Sequence, residues 1–188
     1  MVSIFIDVIG YKNIETFEKK HELHRLFHEE VKIHEIRQRE IGHVVYDRKV
    51  FGFSDCAYFF FYYKDGISEE RKNNIKLTHI AAYNVSLTIL RLMSKGYLVR
   101  GGITFGDVHI DDLGFFGPAV ERAYEIESKI ADMPRLQFDI DIGKDIYEWD
   151  HDIDNKDLNL IQMYTEIPFL SEVDDKGAKY QGVSQLDL

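Results

Sequence analysis

Two aspartates stand in segments whose neighbours are strongly apolar, and together they have the chemistry of a cation site. Asp7 interrupts the run "SIFIDVIG" at residues 3–10, and Asp55 lies in "FSDCAYFFF". A carboxylate buried without a partner is costly, and two carboxylates brought together repel unless a cation lies between them. Hard divalent cations prefer such oxygen ligands and add phosphate oxygens and water. The pair therefore predicts metal-dependent phosphoryl chemistry. The alternative, in which Asp7 caps a helix and Asp55 is an ordinary turn residue, stays open.

A turn directly after Asp7 adds a candidate phosphate site. Val8 and Ile9 lead to Gly10, where a residue without a side chain lets the backbone approach an anion closely. The N–H groups that follow precede or begin a helix, an arrangement that binds phosphate. The residues of this predicted phosphate site are Gly10, Tyr11, Lys12 and Asn13. We therefore expect a metal-bound triphosphate to neutralise Asp7.

The elements that must position these groups begin with a strand over Val2–Val8, rich in β-branched residues. Apolar residues at mostly helical spacing predict a long helix over 16–39. Two strands rich in Val, Tyr and Phe follow and are joined at Ser54 and Asp55. Ser68 is expected to cap a second helix that ends at Gly96.

The second half of the chain adds a strand section in "YLVRGGITFGDVHI" and a helix from Pro118 to about Ile130, with proline in its first turn. "RLQFDI" predicts a strand, "GKDIYEW" a short helix, and "PFL" and "KYQGV" edge strands in a mixed tail from Asn159 on. The order β-α-β-β-α-β is typical of a ferredoxin-like α+β fold with a mainly antiparallel sheet. We expect one domain over residues 1–188. In this topology the end of the first strand and the tip of the hairpin lie side by side.

Bulk composition narrows the function classes. The 188 residues include 33 acidic and 23 basic side chains, a formal net charge of −10. This balance argues against non-specific binding to nucleic acid or to an anionic membrane. Cys56 is the single cysteine, so an intramolecular disulfide is impossible and a reducing compartment is expected. The first residues lack the basic start of a secretory signal, and the apolar runs are shorter than a membrane span. We expect a soluble, cytoplasmic protein.

The histidine-rich segment "HELHRLFHEE" raises a zinc alternative. His24 and His28 are spaced to share one helix face, with His21 before them and His34 further on. The H-E-x-x-H pattern and a nearby cysteine are both missing. A solvated helix face is the preferred interpretation.

The segments "FIDVIGYKN", "FSDCAYFFF" and "RGGITFGDVHIDDLGFFGPAVERAYEIES", in this order, resemble the class III nucleotidyl cyclases. The resemblance covers residues 2–140. It implies the class III cyclase fold and two divalent cations, Mn²⁺ or Mg²⁺, held by Asp7, Asp55 and the carbonyl of Val8. Such ions would activate the ribose 3′-hydroxyl and hold the α-phosphate for in-line attack.

Departures from the family pattern point away from purines. Phe51 stands where purine cyclases place a base-reading lysine, and their second base-reading aspartate falls near Gly114. Glu121 replaces the ribose-binding asparagine, and Glu125 replaces the arginine that steadies the transition state. The pattern is instead similar to the pyrimidine cyclases of Pycsar antiphage systems, with R-G-G-I at 100–103 and G-P-A-x-x-x-A-Y-x-x-E at 117–127. This implies conversion of CTP or UTP to the 3′,5′-cyclic monophosphate and pyrophosphate.

The resemblance also implies partners and roles. Arg100 and Arg122 are candidates to replace the missing arginine, and Phe51 and Tyr124 to shape the base pocket. Arg100 could instead form a local ion pair, Arg122 could be solvated, and the aromatic residues could be core. A homodimer with shared active sites is implied, and a separate cyclic-nucleotide-binding effector would sense the product. The rival functions are a catalytically silent nucleotide-binding or dimerisation domain and a diguanylate-cyclase-like enzyme, although the G-G-D/E-E-F turn is missing.

Overall fold

The computed structural model describes residues 1–39, 44–150, 169–173 and 179–184, which form nine strands and four α-helices. The strands are β1 (Val2–Val8), β2 (Tyr46–Phe53), β3 (Cys56–Tyr63), β4 (Val99–Phe105), β5 (His109–Ile110), β6 (Phe115–Phe116), β7 (Arg135–Phe138), β8 (Phe169–Val173) and β9 (Lys179–Ser184). The helices are α1 (Phe17–Arg39), α2 (Asn74–Met93), α3 (Pro118–Lys129) and α4 (Ile140–Asp150). Two short 3₁₀ helices lie at Tyr11–Asn13 and Glu69–Arg71.

Seven of these strands form one sheet in the order β2-β3-β1-β4-β7-β9-β8. β1 lies between β3 and β4 and is antiparallel to both, and β2 is antiparallel to β3. Within the described strands, β4 and β7 are the one parallel pair. The predicted α+β class with a mainly antiparallel sheet is confirmed, and β2-β3-β1-β4 has the ferredoxin-like order.

Alternation along β1 assigns its side chains to two faces of the sheet. Val2, Ile4, Ile6 and Val8 are buried in the main core, which includes residues of α1, α2 and α4. Because successive side chains in a strand point to opposite faces, Asp7 lies on the other face, together with Phe5. The strand thus buries its apolar set and presents one carboxylate to the side that carries the candidate site.

Helix α3 covers part of that second face and packs closely on β4. A Cβ atom added to Gly102 would overlap the carbonyl oxygen of Ala123 and lie 2.8 Å from Cβ of Ile126. Glycine at this position therefore lets the helix rest directly on the strand. Phe5, Tyr58 and Ala123 belong to the smaller apolar cluster beneath α3. The part of this face beside the helix remains open as a cleft.

Helix α2 begins later than predicted. The expected cap Ser68 forms no side-chain capping hydrogen bond and precedes the 3₁₀ helix instead. Asn73 caps α2, because its side chain accepts a hydrogen bond from the Lys76 N–H at 2.9 Å. The Tyr63 hydroxyl bonds both the N–H and the carbonyl of Asn73, each at 2.7 Å, which holds this residue outside the helix. The prediction of a Ser68 cap was wrong for that reason.

Near the end of the chain, β8 lies at the sheet edge as predicted, but β9 is internal, between β7 and β8. The prediction of an edge strand was therefore wrong for "KYQGV". Pro168 of "PFL" and the tail segment at 159–167 lie outside the described residues. Among the described helices, none is both long enough and apolar enough to cross a bilayer.

Candidate functional site

A two-residue hairpin turn brings Asp55 beside the end of β1. Phe53 pairs with Cys56 across the turn, and Ser54 adopts a left-handed conformation with φ of 56°. Cys56 is in turn paired with Asp7, and the N–H of Val8 donates a hydrogen bond to the carbonyl oxygen of Asp55 at 3.1 Å. The order of strands in the sheet therefore places the two aspartates next to each other, although they are distant in sequence.

Both aspartates line a cleft of about 590 Å³ between α3 and the adjacent ends of β1 and β3. The predicted site residues that line it are Asp7, Val8, Gly10, Tyr11, Lys12, Asn13, Asp55, Arg100 and Tyr124. Further lining residues are Phe5, Phe53, Cys56, Tyr58, Glu127 and Ser128. The cleft combines acidic groups, two cationic side chains and several aromatic rings in one cavity.

The electrostatics of the cleft are dominated by poorly compensated carboxylates. Burial raises the pKa of Asp7 to about 6, and the charges of Glu127 and Asp55 contribute to this rise, while Arg100 and Lys12 act in the opposite direction. Burial also raises the pKa of the Cys56 thiol to about 12, with a contribution from the neighbouring carboxylates. Ionised carboxylates are therefore unfavourable in this cleft, and a bound cation would neutralise them.

The donor set fits a hard divalent cation. Asp7 and Asp55 supply carboxylate oxygens, and a triphosphate would supply the remaining ligands of Mg²⁺ or Mn²⁺. Among the residues whose side chains the structure describes, no group of three or more His, Cys, Asp or Glu is arranged to hold a metal ion. A site that binds its ion through two carboxylates, the Val8 carbonyl and substrate oxygens is compatible with that finding.

The predicted phosphate turn has a different form from the expected helix start. Gly10 has φ of 79° and leads into the 3₁₀ helix Tyr11–Asn13, and α1 begins only at Phe17. The N–H of Asn13 is donated to the Gly10 carbonyl at 2.8 Å. The dipole of a long helix therefore does not support this turn. Lys12 is the group here that places a positive charge beside the carboxylates.

Arg100 lies in the cleft, but its guanidinium is engaged by Glu127. The Arg100 Nε and Glu127 Oε1 are 2.5 Å apart, with the Glu127 side chain only 3% exposed. Burial raises the pKa of Glu127, and the neighbouring Arg100 lowers it in partial compensation. Of the two roles left open from the sequence, the structure shows the ion pair. A direct role at a phosphate would require Arg100 to leave Glu127.

Arg122 lies outside the cleft. Its Nε and Nη2 bond the two oxygens of Asp139 at 2.9 and 3.0 Å, and Nη1 lies 3.4 Å from Glu125. This fork joins α3 to the residue that precedes α4. The arginine is thus neither free nor simply solvated, and we assign it a structural role.

The two predicted base-pocket residues are separated. Tyr124 is 54% exposed at the cleft and packs edge-on against Phe5 with ring centroids 5.6 Å apart. Phe51 lies away from the cleft in an aromatic cluster, 4.8 Å from Phe115 and 6.0 Å from Phe60 between centroids. Tyr124 can therefore contact a ligand in this cavity, whereas Phe51 packs in the smaller core.

Glu127 was missed as a site residue by the sequence analysis. A signal was present, because Ala119, Ala123 and Ile126 mark the buried side of α3, and Glu127 lies on that same side. A glutamate at such a position needs a cationic partner. The helical periodicity does not show which residue is that partner, and the structure places it on β4.

The histidines of α1 form a contact but not a metal cluster in the part of the chain that is described. The rings of His24 and His28 have centroids 4.2 Å apart. The side chain of His34 lies outside the described residues. His21 and His24 are exposed, in line with the interpretation of a solvated face, whereas His28 packs against β2, where a Cβ atom added to Gly52 would lie 3.0 Å from its ring.

The sequence matches no protein-family model and no curated protein sequence. A solved structure with a similar backbone is that of the guanylyl cyclase Cya2. Its sequence is 9% identical, the TM-score is 0.48, and the similarity covers 97% of this chain and 90% of that chain. At this identity and superposition, the function has to be argued from the residues of the cleft.

Proposed function

We propose that the protein is a nucleotide cyclase that converts CTP or UTP to the 3′,5′-cyclic monophosphate and pyrophosphate. The observation that carries this proposal is the position of Asp7 and Asp55 in one cleft, beside the 10–13 turn. The ordered motifs that resemble class III cyclases add support. A cleft of about 590 Å³ falls within the range of small-molecule sites.

In this proposal the carboxylates of Asp7 and Asp55, with the Val8 carbonyl, hold two Mn²⁺ or Mg²⁺ ions. The ions would supply activation of the ribose 3′-hydroxyl and neutralisation of charge on the α-phosphate. The 3′-hydroxyl would lose its proton to solvent as its oxygen forms the new bond to the α-phosphorus, and the bond from the α-phosphorus to the departing pyrophosphate would break. Lys12 contacts the phosphate chain as a mobile positive charge. Tyr124 offers an aromatic face to the base.

The preference for a pyrimidine rests on the sequence departures, above all on Phe51 in place of a base-reading lysine. By the same similarity, the cyclic product would act as a second messenger in antiphage defence through a separate effector. A homodimer with shared sites is part of this proposal. Its support in the structure is a set of exposed apolar side chains, with Phe53 at 53%, Tyr124 at 54% and Phe116 at 67% exposed.

One observation favours a second candidate function. Both arginines proposed for transition-state charge are engaged, Arg100 by Glu127 and Arg122 by Asp139. A catalytically silent domain that binds a nucleotide and dimerises would have the same arrangement. Turnover, rather than binding, therefore distinguishes the two candidates.

The test is incubation of the purified protein with CTP, UTP, ATP and GTP in turn, with Mn²⁺ and chromatographic identification of the product. We expect cyclic CMP or cyclic UMP, and loss of turnover in Asp7→Ala and Asp55→Ala with an unchanged circular dichroism spectrum. Asp112→Ala is the matched control, because this carboxylate is exposed and outside the cleft.

Nucleotide-dependent thermal stabilisation without turnover would favour the silent domain. A cyclic dinucleotide from GTP would favour a diguanylate-cyclase-like enzyme. Full activity in either aspartate variant would remove the metal assignment.

A further inference from the structure

Arg100 lies near two carboxylates, Glu127 on α3 and Asp7 on the neighbouring strand β1. It forms its ion pair with Glu127. In the β1–β4 register, Arg100 is directly opposite Asp7, so the two side chains lie on the same face of the sheet. Its ion pair nevertheless goes to Glu127 on α3, at 2.5 Å from Nε. The guanidinium is thus paired with α3, while its charge still acts on Asp7 and lowers the pKa of that carboxyl.

The position of Glu127 is set by backbone packing. Gly102 lies two residues after Arg100 on the same face of β4, and it allows the Ala123–Glu127 turn of α3 to touch the strand. The Glu127 side chain is enclosed, whereas that of Arg100 is 34% exposed. Because a buried carboxylate without a partner is strongly unfavourable, Glu127 retains the guanidinium on the α3 side of the cleft.

We propose that Glu127 is a positioning residue that holds Arg100 against α3 and thereby leaves the Asp7 carboxylate available to a divalent cation. The inference rests on the proposed function of the cleft. If Glu127 releases Arg100, the nearest anionic partner across the strands is Asp7. An Arg100–Asp7 pair would occupy carboxylate oxygens that the cation needs.

The test is binding of Mn²⁺ alone to the full chain, measured by calorimetry and by electron paramagnetic resonance, in wild type and three variants. Glu127→Gln should weaken Mn²⁺ binding by about tenfold or more, in the range found for residues that orient metal ligands. Glu127→Asp retains the charge but shortens the side chain by about 1.5 Å, so the contact to Arg100 is lost. We expect it to weaken binding as Glu127→Gln does.

The double variant Arg100→Met/Glu127→Met provides the matched rescue. It replaces the ion pair with apolar side chains of similar volume and removes the competitor for Asp7. We expect Mn²⁺ affinity within about threefold of wild type, because Arg100 can no longer compete for the Asp7 carboxylate. A crystal structure of Glu127→Gln should show the Arg100 guanidinium within about 4 Å of Asp7.

Wild-type affinity in Glu127→Asp would show that charge alone matters and would overturn the inference. Equal loss of binding in the single and double variants would assign Glu127 a structural role and would overturn it too. If the single variants do not fold, the double variant still decides, because failure to bind Mn²⁺ contradicts the proposed rescue. Absence of Mn²⁺ binding in wild type would instead overturn the proposed function itself.

Discussion

Replacement of Asp7 by asparagine is expected to stabilise the metal-free protein at neutral pH. The carboxylate lies on a buried strand, where burial and the nearby Glu127 and Asp55 raise its pKa from 3.8 to about 6. Its ionised form is therefore disfavoured in the folded state relative to the unfolded chain. The substitution Asp7→Asn would keep the size of the side chain and remove the charge.

The magnitude follows from the difference between the folded and unfolded pKa values. This difference corresponds to about 3 kcal/mol, and solvent screening in the open cleft reduces it to about 2 kcal/mol. Because the folded state binds the proton more tightly, wild-type stability from this group is fully present below pH 3.8 and is lost as the pH rises through about 6. The gain in Asp7→Asn should therefore be largest above pH 6 and disappear toward pH 4.

The assay is urea unfolding of wild type and variant across this pH range in the presence of a metal chelator. Asp112→Asn, at an exposed carboxylate outside the cleft, should change the unfolding free energy by less than about 0.5 kcal/mol. Addition of Mn²⁺ should raise the melting temperature of wild type but not of Asp7→Asn. If Asp7→Asn is no more stable than wild type at neutral pH, the uncompensated charge on which the cation argument depends is absent.

Four further predictions concern the packing around the site and the dimer. Arg122→Met should lower the unfolding free energy by about 2 kcal/mol, because the Asp139 carboxylate loses both hydrogen bonds from the guanidinium and retains the one from the Thr104 hydroxyl, while turnover of the folded protein persists. Loss of turnover at unchanged stability would instead show that this arginine takes part in catalysis. Burial would raise the pKa of Asp139, but hydrogen bonds from Arg122 hold it below its usual range. The contribution of this pair to the unfolding free energy should therefore be present above about pH 4 and lost in more acidic buffer, as urea titrations would measure. Gly102→Ala should cost about 3 kcal/mol, because the new Cβ meets the backbone oxygen of Ala123, and a wild-type urea midpoint would contradict the close α3 packing. Turnover per protomer should fall when dilution dissociates the dimer, as followed by sedimentation, and a fully active monomer would contradict shared sites.

Much of the fold was accessible from local patterns. The alternation of β1, the aromatic strands around Ser54 and the proline at the start of α3 each predicted an element at its observed position. The late start of α2 was not predicted, because the cap at Asn73 depends on a hydrogen bond from Tyr63, which belongs to a different element. Local sequence propensity does not include a contact with a residue of another element.

By itself, the sequence determined the ferredoxin-like order of elements and the two carboxylates that this order brings together at Asp7 and Asp55. The tertiary structure alone decided the surroundings of the arginines. Arg100 faces the cleft yet pairs with Glu127, and Arg122 is turned to Asp139. The physical reason is that periodicity reports which side of a strand or helix is buried, whereas the partner of a charged group depends on which distant backbone packs within a few ångströms of it.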